Sequence, residues 1–322
     1  MSSPKFTFFQ FQKRFPDEET ALEYIFSRRF GHLNHCPDCA TETKFHRIKK
    51  RKVYSCQHCG YQVSPCAGTI FHKTKTPLVS WLYVIFLITT SRNGVSAKEV
   101  QRQIGVTYKT AWAMCHKIRT AMDESNDIFM TGTVEVDESL FSGRHPWAKP
   151  NTNPPRRDRH PKKKRGWGAD KQCVFGMVER DEKDEDGKLL IPGKIKTMTV
   201  PNRKAKTLLP IIVDAVSENA TVYSDEFKGY NKLGREVAVH ESVCHSDYEW
   251  TRGNVHTQGI EGHWSLRKRS IRGTHTSISR KYMQNYLNEF DFRHNHKNEN
   301  MFDIVLENAT PPVDWEPLDP SS

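Results

Sequence analysis

The amino-acid sequence reads as an α/β protein: a mixed sheet flanked by helices, preceded by a zinc ribbon and a helix-turn-helix. Three observations support that reading. Two Cys-x-x-Cys pairs stand near the start, at Cys36/Cys39 and Cys56/Cys59. Helical periodicity with a glycine break follows, up to Met122. From Thr133 the chain changes to short β-branched runs, TVEV, QCVFGMVE, KIKTMTV and TVYS, with one helical run at 205–216 before the last. Strands first and helices after are the pattern of a layered α/β domain.

Residues 17–30 predict the first helix: acids occupy its first turn, Leu22, Ile25 and Phe26 share one face, and Gly31 ends it. The two cysteine pairs are separated by sixteen residues, which puts two thiolates on each of two knuckles. Four thiolates close a tetrahedral zinc shell, so the metal is structural and His35, His46 and His58 have no vacancy to fill. Gly60 suits the tight turn after the second pair. Between the pairs lie Lys49, Lys50, Arg51 and Lys52, a cluster that favours DNA as partner. Val79–Thr90 (VSWLYVIFLITT) is too short for a bilayer and reads as a buried helix.

Next, Ser96 can cap a helix, Glu99 can complete the capping box, and Val95 can staple to Val100. Gly105 supplies a turn and Thr107 caps a second helix, in which Ala111, Cys115, Ile118 and Met122 form one apolar stripe. Two short helices around a glycine turn predict a helix-turn-helix. Its second helix presents Tyr108, Lys109 and Thr110 at the end where base edges are usually reached.

These features divide the chain into a helical segment (1–32), the ribbon (33–75), the helix-turn-helix (76–130), the α/β domain (131–298) with a basic loop at 144–168, and a tail (299–322). The loop gathers Arg156, Arg157, Lys162, Lys163, Lys164 and Arg165 among prolines, so it is expected to be solvated, with Trp147 and Trp167 flanking. Residues 181–188 read as a polar hairpin turn. Tyr282, Met283, Tyr286, Leu287 and Phe290 form a helical stripe for packing on the sheet. From Thr310 the chain is Pro-rich and acidic and is expected to be disordered.

Several acids stand out. In TVEVDES, period-two alternation puts Val134 and Val136 on one face and Glu135 with Asp137 on the other. Acids in an apolar strand are costly unless a cation or partner meets them. Asp225 ends another apolar strand, with Glu226 beside it. Glu261 lies in a helical segment whose packing side carries Ile260 and Trp264, and Lys268, two turns on, shares its face. Residue pattern alone leaves Glu135, Glu138 and Glu226 open as rivals to Asp137, Asp225 and Glu261.

The formal net charge is +11, from 49 Lys plus Arg against 38 Asp plus Glu, which favours a polyanionic partner. No apolar run with a small-residue cleavage site opens the chain, and Cys66, Cys115, Cys173 and Cys244 show no pairing pattern. A reducing cytosol, without membrane attachment, is the expected location.

The string CPDC, YSCQHCGYQVS, SAKEVQRQIGVTYKTAW, VEVDES, FGMVER, VYSDEFKGY, HTQGIEGHWSLRKR and NEFDFRHN, in this order, resembles the zinc-ribbon transposases of bacterial insertion sequences. That family belongs to the DDE superfamily, and its catalytic domain is RNase H-like. The resemblance spans about Phe15 to Asn295. It implies that Asp137, Asp225 and Glu261 are the catalytic acids and hold two Mg²⁺ ions, with Mn²⁺ as substitute. It further implies that Lys268 holds a phosphate near the scissile bond, with Arg267 and Arg269 as neighbouring DNA contacts. The gap between residues 225 and 261 is thirty-five residues, similar to that of retroviral integrases. Gln258 departs from the Asn common at that position. The implied activity is cleavage at transposon ends and strand transfer into target DNA, by at least a dimer. The alternatives are a domesticated, non-catalytic DNA-binding regulator and a nuclease of the same fold that does not join strands. Tyr223, Tyr230, His245 and His256 are expected to be structural.

Overall fold

The computed structural model describes residues 6–49, 51–141 and 171–313. Lys50, Trp147, Trp167 and the basic stretch Arg156, Arg157, Lys162, Lys163, Lys164 and Arg165 lie outside them. The chain divides into two units: one holds the residues up to Met122 together with those from Asn298 on, the other runs from Asp123 to Lys297.

The first unit begins with α1 (Phe8–Arg14) and α2 (Glu18–Phe30), the latter capped by Asp17, whose carboxylate accepts from the Thr20 N–H at 2.7 Å. A three-stranded antiparallel sheet, β1 (Phe45–Arg47), β2 (Tyr54–Cys56) and β3 (Gln62–Val63), follows the first cysteine pair and bears the second at the end of β2 and in the turn after it. The apolar run forms α3 (Leu78–Thr90), largely buried. Among the described residues no helix is long and apolar enough to cross a membrane.

α4 (Ala97–Ile104) and α5 (Tyr108–Thr120) follow from their caps. Ser96 Oγ accepts from the Glu99 N–H at 3.1 Å and Thr107 Oγ1 from the Thr110 N–H at 3.2 Å. Gly105, at φ 68°, makes the left-handed turn between them. Val95 and Val100 are buried, as are Ala111, Cys115 and Ile118 of α5 and Met122 just past its end.

Residues 301–309, expected within a tail, instead form a helix, α9 (Met301–Ala309). Phe302, Val305, Leu306 and Ala309 recur at helical spacing and are buried against α3 and the N-terminal aromatics. That stripe explains the difference: its burial outweighs the polar flanks.

The second unit is built on a mixed five-stranded sheet. Its strands are β4 (Thr133–Phe141), β5 (Gln172–Glu179), β8 (Ile195–Val200), β9 (Thr221–Asp225) and β10 (Val239–Val243), in the order β10-β9-β4-β5-β8. β4, β5 and β8 are antiparallel neighbours, whereas β9 lies parallel to both β4 and β10. The small hairpin β6 (Glu182–Lys183) and β7 (Leu189–Ile191) stands where a polar turn was expected. β10 has no apolar alternation to announce it; it is an edge strand in which only Val243 is buried.

Strand alternation decides which helix covers which face. Val134, Val136, Phe175, Met177 and Val222 pack with Leu208 and Ile212 of α6 (Ala205–Ala215). On the other face Val174, Val178 and Ile195 pack with Ile260 and Trp264 of α7 (Gln258–Ser270) and with Met283 and Leu287 of α8 (Met283–Asn295). Tyr286 and Phe290 complete the expected α8 stripe at its margin.

Candidate active site and zinc centre

The four cysteines converge as their spacing demands. Their sulfurs lie within 4.8 Å of one another, Cys36 to Cys59 at 3.6 Å and Cys39 to Cys56 at 4.0 Å. A tetrahedron with Zn–S bonds of about 2.3 Å has edges of about 3.8 Å, so the quartet fits zinc. The knuckles are near copies: Ala40 and Gly60 both take positive φ, and their N–H groups donate to the Cys36 and Cys56 carbonyls at 2.9 and 3.2 Å. At Cys56 burial works against the thiolate, but the Thr43 hydroxyl and the Cys59 and His58 N–H groups prevail and bring the thiol down to about 6.

The acids come together on the α7 side of the sheet. β4 pairs with β9 through Thr133↔Thr221, Val134↔Val222 and Glu135↔Tyr223. Continued by two residues, that register sets Asp137 level with Asp225, and period-two alternation points both to one face. Asp225 accepts from the Phe227 N–H at 3.0 Å.

α7 is laid along β4 by a matched repeat. Ile260 N–H donates to Glu135 Oε2 at 3.1 Å, Trp264 Nε1–H to Asp137 Oδ2 at 2.8 Å, and Lys268 Nζ to Ser139 Oγ at 2.6 Å. Four helical residues rise about 6 Å and two strand residues about 6.6 Å, so steps of four on α7 meet steps of two on β4. Two glycines permit the approach. Gly176 lies opposite Asp137 in the β4–β5 register, where a Cβ would fall 2.5 Å from the Trp264 ring. A Cβ on Gly259 would fall 2.7 Å from Glu135 Oε2. Glu261 follows Ile260 in the first turn of α7, exposed, and accepts from Thr257 Oγ1 at 3.1 Å.

Asp137 feels the charge of both other acids. Burial, then the charge of Asp225 and more weakly that of Glu261, pushes Asp137 up to about 7, against the pull of the Trp264 and Glu138 N–H groups. They do not gather as tightly as the cysteines, which form the only cluster of three or more ligand atoms within 4.8 Å among the described residues. A set of hard carboxylate oxygens whose mutual repulsion a cation relieves suits Mg²⁺ or Mn²⁺. Lys268 is half-buried beside Asp137; burial lowers its pKa while Asp137 raises it.

The rival acids have other partners. Glu135 is 1% exposed, with one oxygen engaged by the Arg180 guanidinium at 2.7 Å and the other by the Ile260 N–H at 3.1 Å. Glu138 points to the opposite face, where burial lifts it to about 8. Glu226 accepts from the Ser246 N–H and hydroxyl at 3.2 and 2.8 Å.

Among the residues expected to touch DNA, Lys49, Arg51, Tyr108, Lys109 and Arg269 are exposed and Thr110 half-exposed. Arg267 departs from that expectation. It is 4% exposed and donates to Asp291 Oδ1 at 2.5 Å, tying α7 to α8. The apolar stripe of α7 turns residue 267 inward, three residues after Trp264. Tyr223 and Tyr230 are buried, as expected of packing residues. Two contributors to the site were missed: Trp264, read only as packing, and Arg180, whose one sequence signal is a cation directly after an apolar strand.

Residues 129–295 match the family described as the ISXO2-like transposase domain, and residues 16–62 the transposase zinc-ribbon domain. A protein of Halobacterium salinarum, described as an uncharacterized protein in transposable element ISH50, is 26% identical over 292 residues, covering 87% of this chain and 92% of its own length. An uncharacterized transposase-like protein of Haemophilus influenzae is 31% identical over 102 residues, 32% of this chain and 81% of its own. With the zinc ribbon in front and the mixed sheet behind, the chain belongs to the ISXO2-like transposase family.

Proposed function

We propose that this transposase recognises the ends of its own insertion sequence, cuts there, and joins the freed 3′-hydroxyl to target DNA at Asp137, Asp225 and Glu261. The observation that carries the reading is the approach of three acids from β4, β9 and α7 on one face of the sheet, with Asp137 lifted by burial and then by the charges of Asp225 and Glu261. Bound at these three residues, a pair of Mg²⁺ ions, or Mn²⁺ in their place, supplies activation of water and charge stabilisation at the attacking and leaving oxygens.

The side chains prepare the rest. Trp264 fixes one oxygen of Asp137, Thr257 one of Glu261, and the Phe227 N–H one of Asp225. Lys268, steadied by Ser139, offers its ammonium to a phosphate beside Asp137. In-line displacement by water and then by a 3′-hydroxyl needs no covalent protein–DNA intermediate, so no Ser or Tyr nucleophile is assigned.

The ribbon, with Lys49, Lys50 and Arg51, and the α4–α5 pair, with Tyr108, Lys109 and Thr110, read the ends as a helix-turn-helix would. Arg269 and the basic loop, Arg156, Arg157 and Lys162 to Arg165, hold the DNA backbone. Bringing two ends together requires at least a dimer, acting in the bacterial cytosol.

The test supplies the zinc-loaded protein with duplexes of its own element's ends, a target plasmid and Mg²⁺. Joined strands are expected. Cut but unjoined ends would mark a nuclease, and binding without cutting a regulator. Asp137→Ala, Asp225→Ala and Glu261→Ala should each lower cleavage by about a thousandfold or more, leaving end binding within a few-fold. Wild-type cutting by any of them would remove that residue from the site.

A further inference from the structure

Three elements carry the acids, and one guanidinium touches two of them and the segment that leads into the third. Arg180, just past β5, donates from Nε to Glu135 Oε1 at 2.7 Å, on β4 two residues before Asp137. Its Cζ lies over the ring of Tyr223, 4.8 Å from the ring centroid, on β9 two residues before Asp225. Its remaining donors reach the segment that leads into α7: the Asn254 carbonyl at 2.8 Å, the His256 carbonyl at 3.0 Å and His256 Nδ1 at 2.9 Å. A guanidinium only donates, so His256 Nδ1 is the acceptor in that contact, and the same nitrogen lies 3.4 Å from Glu135 Oε1. Glu135 completes the set by accepting from the Ile260 N–H, one residue before Glu261.

Residues two apart on a strand share a face. Each strand contact of Arg180 is therefore made on the face that carries the acid, one step below it. The same ion pair binds the first turn of α7. Glu135 is 1% exposed, and a buried carboxylate of this kind persists only where its partner holds it.

Resting on the acid-site reading above, we propose that Arg180 and Glu135 form the positioning centre of this active site. They lock β4, β9 and the start of α7 into the arrangement in which Asp137, Asp225 and Glu261 hold cations together. Neither residue touches substrate. Arginine is required because its fork serves four acceptor atoms and an aromatic face at once, whereas a lysine ammonium would keep the charge balance with Glu135 but lose the fork.

Arg180→Lys is the discriminating variant, since it leaves Glu135 paired and the fold intact; Glu135→Gln with Arg180→Gln, a neutral double replacement, is the second. The probe is Mn²⁺ alone, titrated into the full-length, zinc-loaded protein, together with amide hydrogen exchange over 254–264. For Arg180→Lys the Mn²⁺ dissociation constant is expected to rise about tenfold, exchange at Ile260 and Glu261 to quicken by at least as much, and cleavage to fall about a hundredfold, the loss typical of a 1 Å misplacement. In a Glu261→Gln background, Arg180→Lys should add less than twofold to the loss of Mn²⁺ affinity, because its effect passes through the placement of that acid.

Unchanged Mn²⁺ affinity and exchange in both folded variants would overturn the positioning role. So would full additivity with Glu261→Gln. Mn²⁺ binding and cleavage untouched by Glu261→Gln itself would instead overturn the acid-site reading, and the positioning role with it.

Discussion

Gly176 shows how little room the site leaves. A methyl group there would meet Trp264 Cη2 at 2.5 Å, Cζ2 at 2.7 Å and Ile260 Cδ1 at 3.0 Å, all parts of a buried interface that cannot swing aside. Gly176→Ala should therefore cost about 1–3 kcal/mol through overpacking and pull the Trp264 N–H from Asp137, lowering cleavage as well as stability. Gly262, on the exposed side of the same helix, has nothing within 4 Å of its would-be Cβ. Gly262→Ala should stabilise by about 0.5–1 kcal/mol, the helix-propensity difference. Urea denaturation of the two variants checks both signs; equal effects would mean that α7 does not pack on β5 as described. Individual residues were unevenly legible in the sequence. Asp137 announced itself as an acid out of place in an apolar strand. Glu135 did so equally, and its true partner, Arg180, lies forty-five residues away, where no periodicity reaches.

Elements with local signals were the easiest to anticipate. α4 and α5 were fixed by Ser96, Gly105 and Thr107, all of which act within four residues. β10 escaped notice because an edge strand needs no apolar alternation, and the inward turn of Arg267 because an arginine on a basic helix looks solvated until Asp291 is placed beneath it. The α7–α8 contact also half-buries two histidines edge to face, His263 and His294, with ring centroids 4.5 Å apart. Burial, then the charges of Lys297 and Arg267, lowers His294 to about 4, although its bond to the Gly193 carbonyl works the other way. That bond requires a proton on Nε2. Unfolded, the same side chain takes up a second proton below about 6.5. Between these values the unfolded chain binds more protons, so this group's contribution falls as pH drops from about 6.5 to 4. Asp137, Glu138 and Asp291 are shifted upward and run against it, so the measurement must be a difference. His294→Gln keeps a donor for Gly193 and cannot titrate. Relative to it, the wild type should lose roughly 1–3 kcal/mol between pH 6.5 and 4, and a pH-independent gap would show that His294 is not held neutral.

The chain leaves the first unit at Met122 and returns to it at Asn298, which gives the last stretch a structural duty that its composition hides. Phe302 packs with Phe6 at 4.8 Å and Phe15 at 6.0 Å between ring centroids, and Asp303 pairs with Arg14 at 2.6 Å. Beyond α9, the Val313 N–H donates to the Arg29 carbonyl at 3.0 Å, and the Arg29 side chain reaches the carbonyls of Pro311, Pro65 and Ala67. The ribbon joins the same structure, for Tyr54 stacks on Phe26 at 3.8 Å and donates to Glu23 at 2.6 Å. Ending the chain after Lys297 removes Phe302, Val305 and Leu306 from that core, a loss of about 5 kcal/mol or more at roughly 1.5–3 kcal/mol for each buried side chain. Against a typical total of about 5–15 kcal/mol, the first unit should lose most of its stability. The second unit, whose sheet and helices end at Lys297, should melt as before. Calorimetry should then show the first unit's transition moved down sharply and the other within a few degrees. Zinc chelation of the intact chain should reproduce the split, because the thiolate shell and α9 stabilise the same unit through Arg29 and α2. A truncated chain that keeps both transitions would show that residues beyond 297 are the loose tail their Pro-rich, acidic end suggests, and that zinc with the N-terminal helices suffices to hold the unit together.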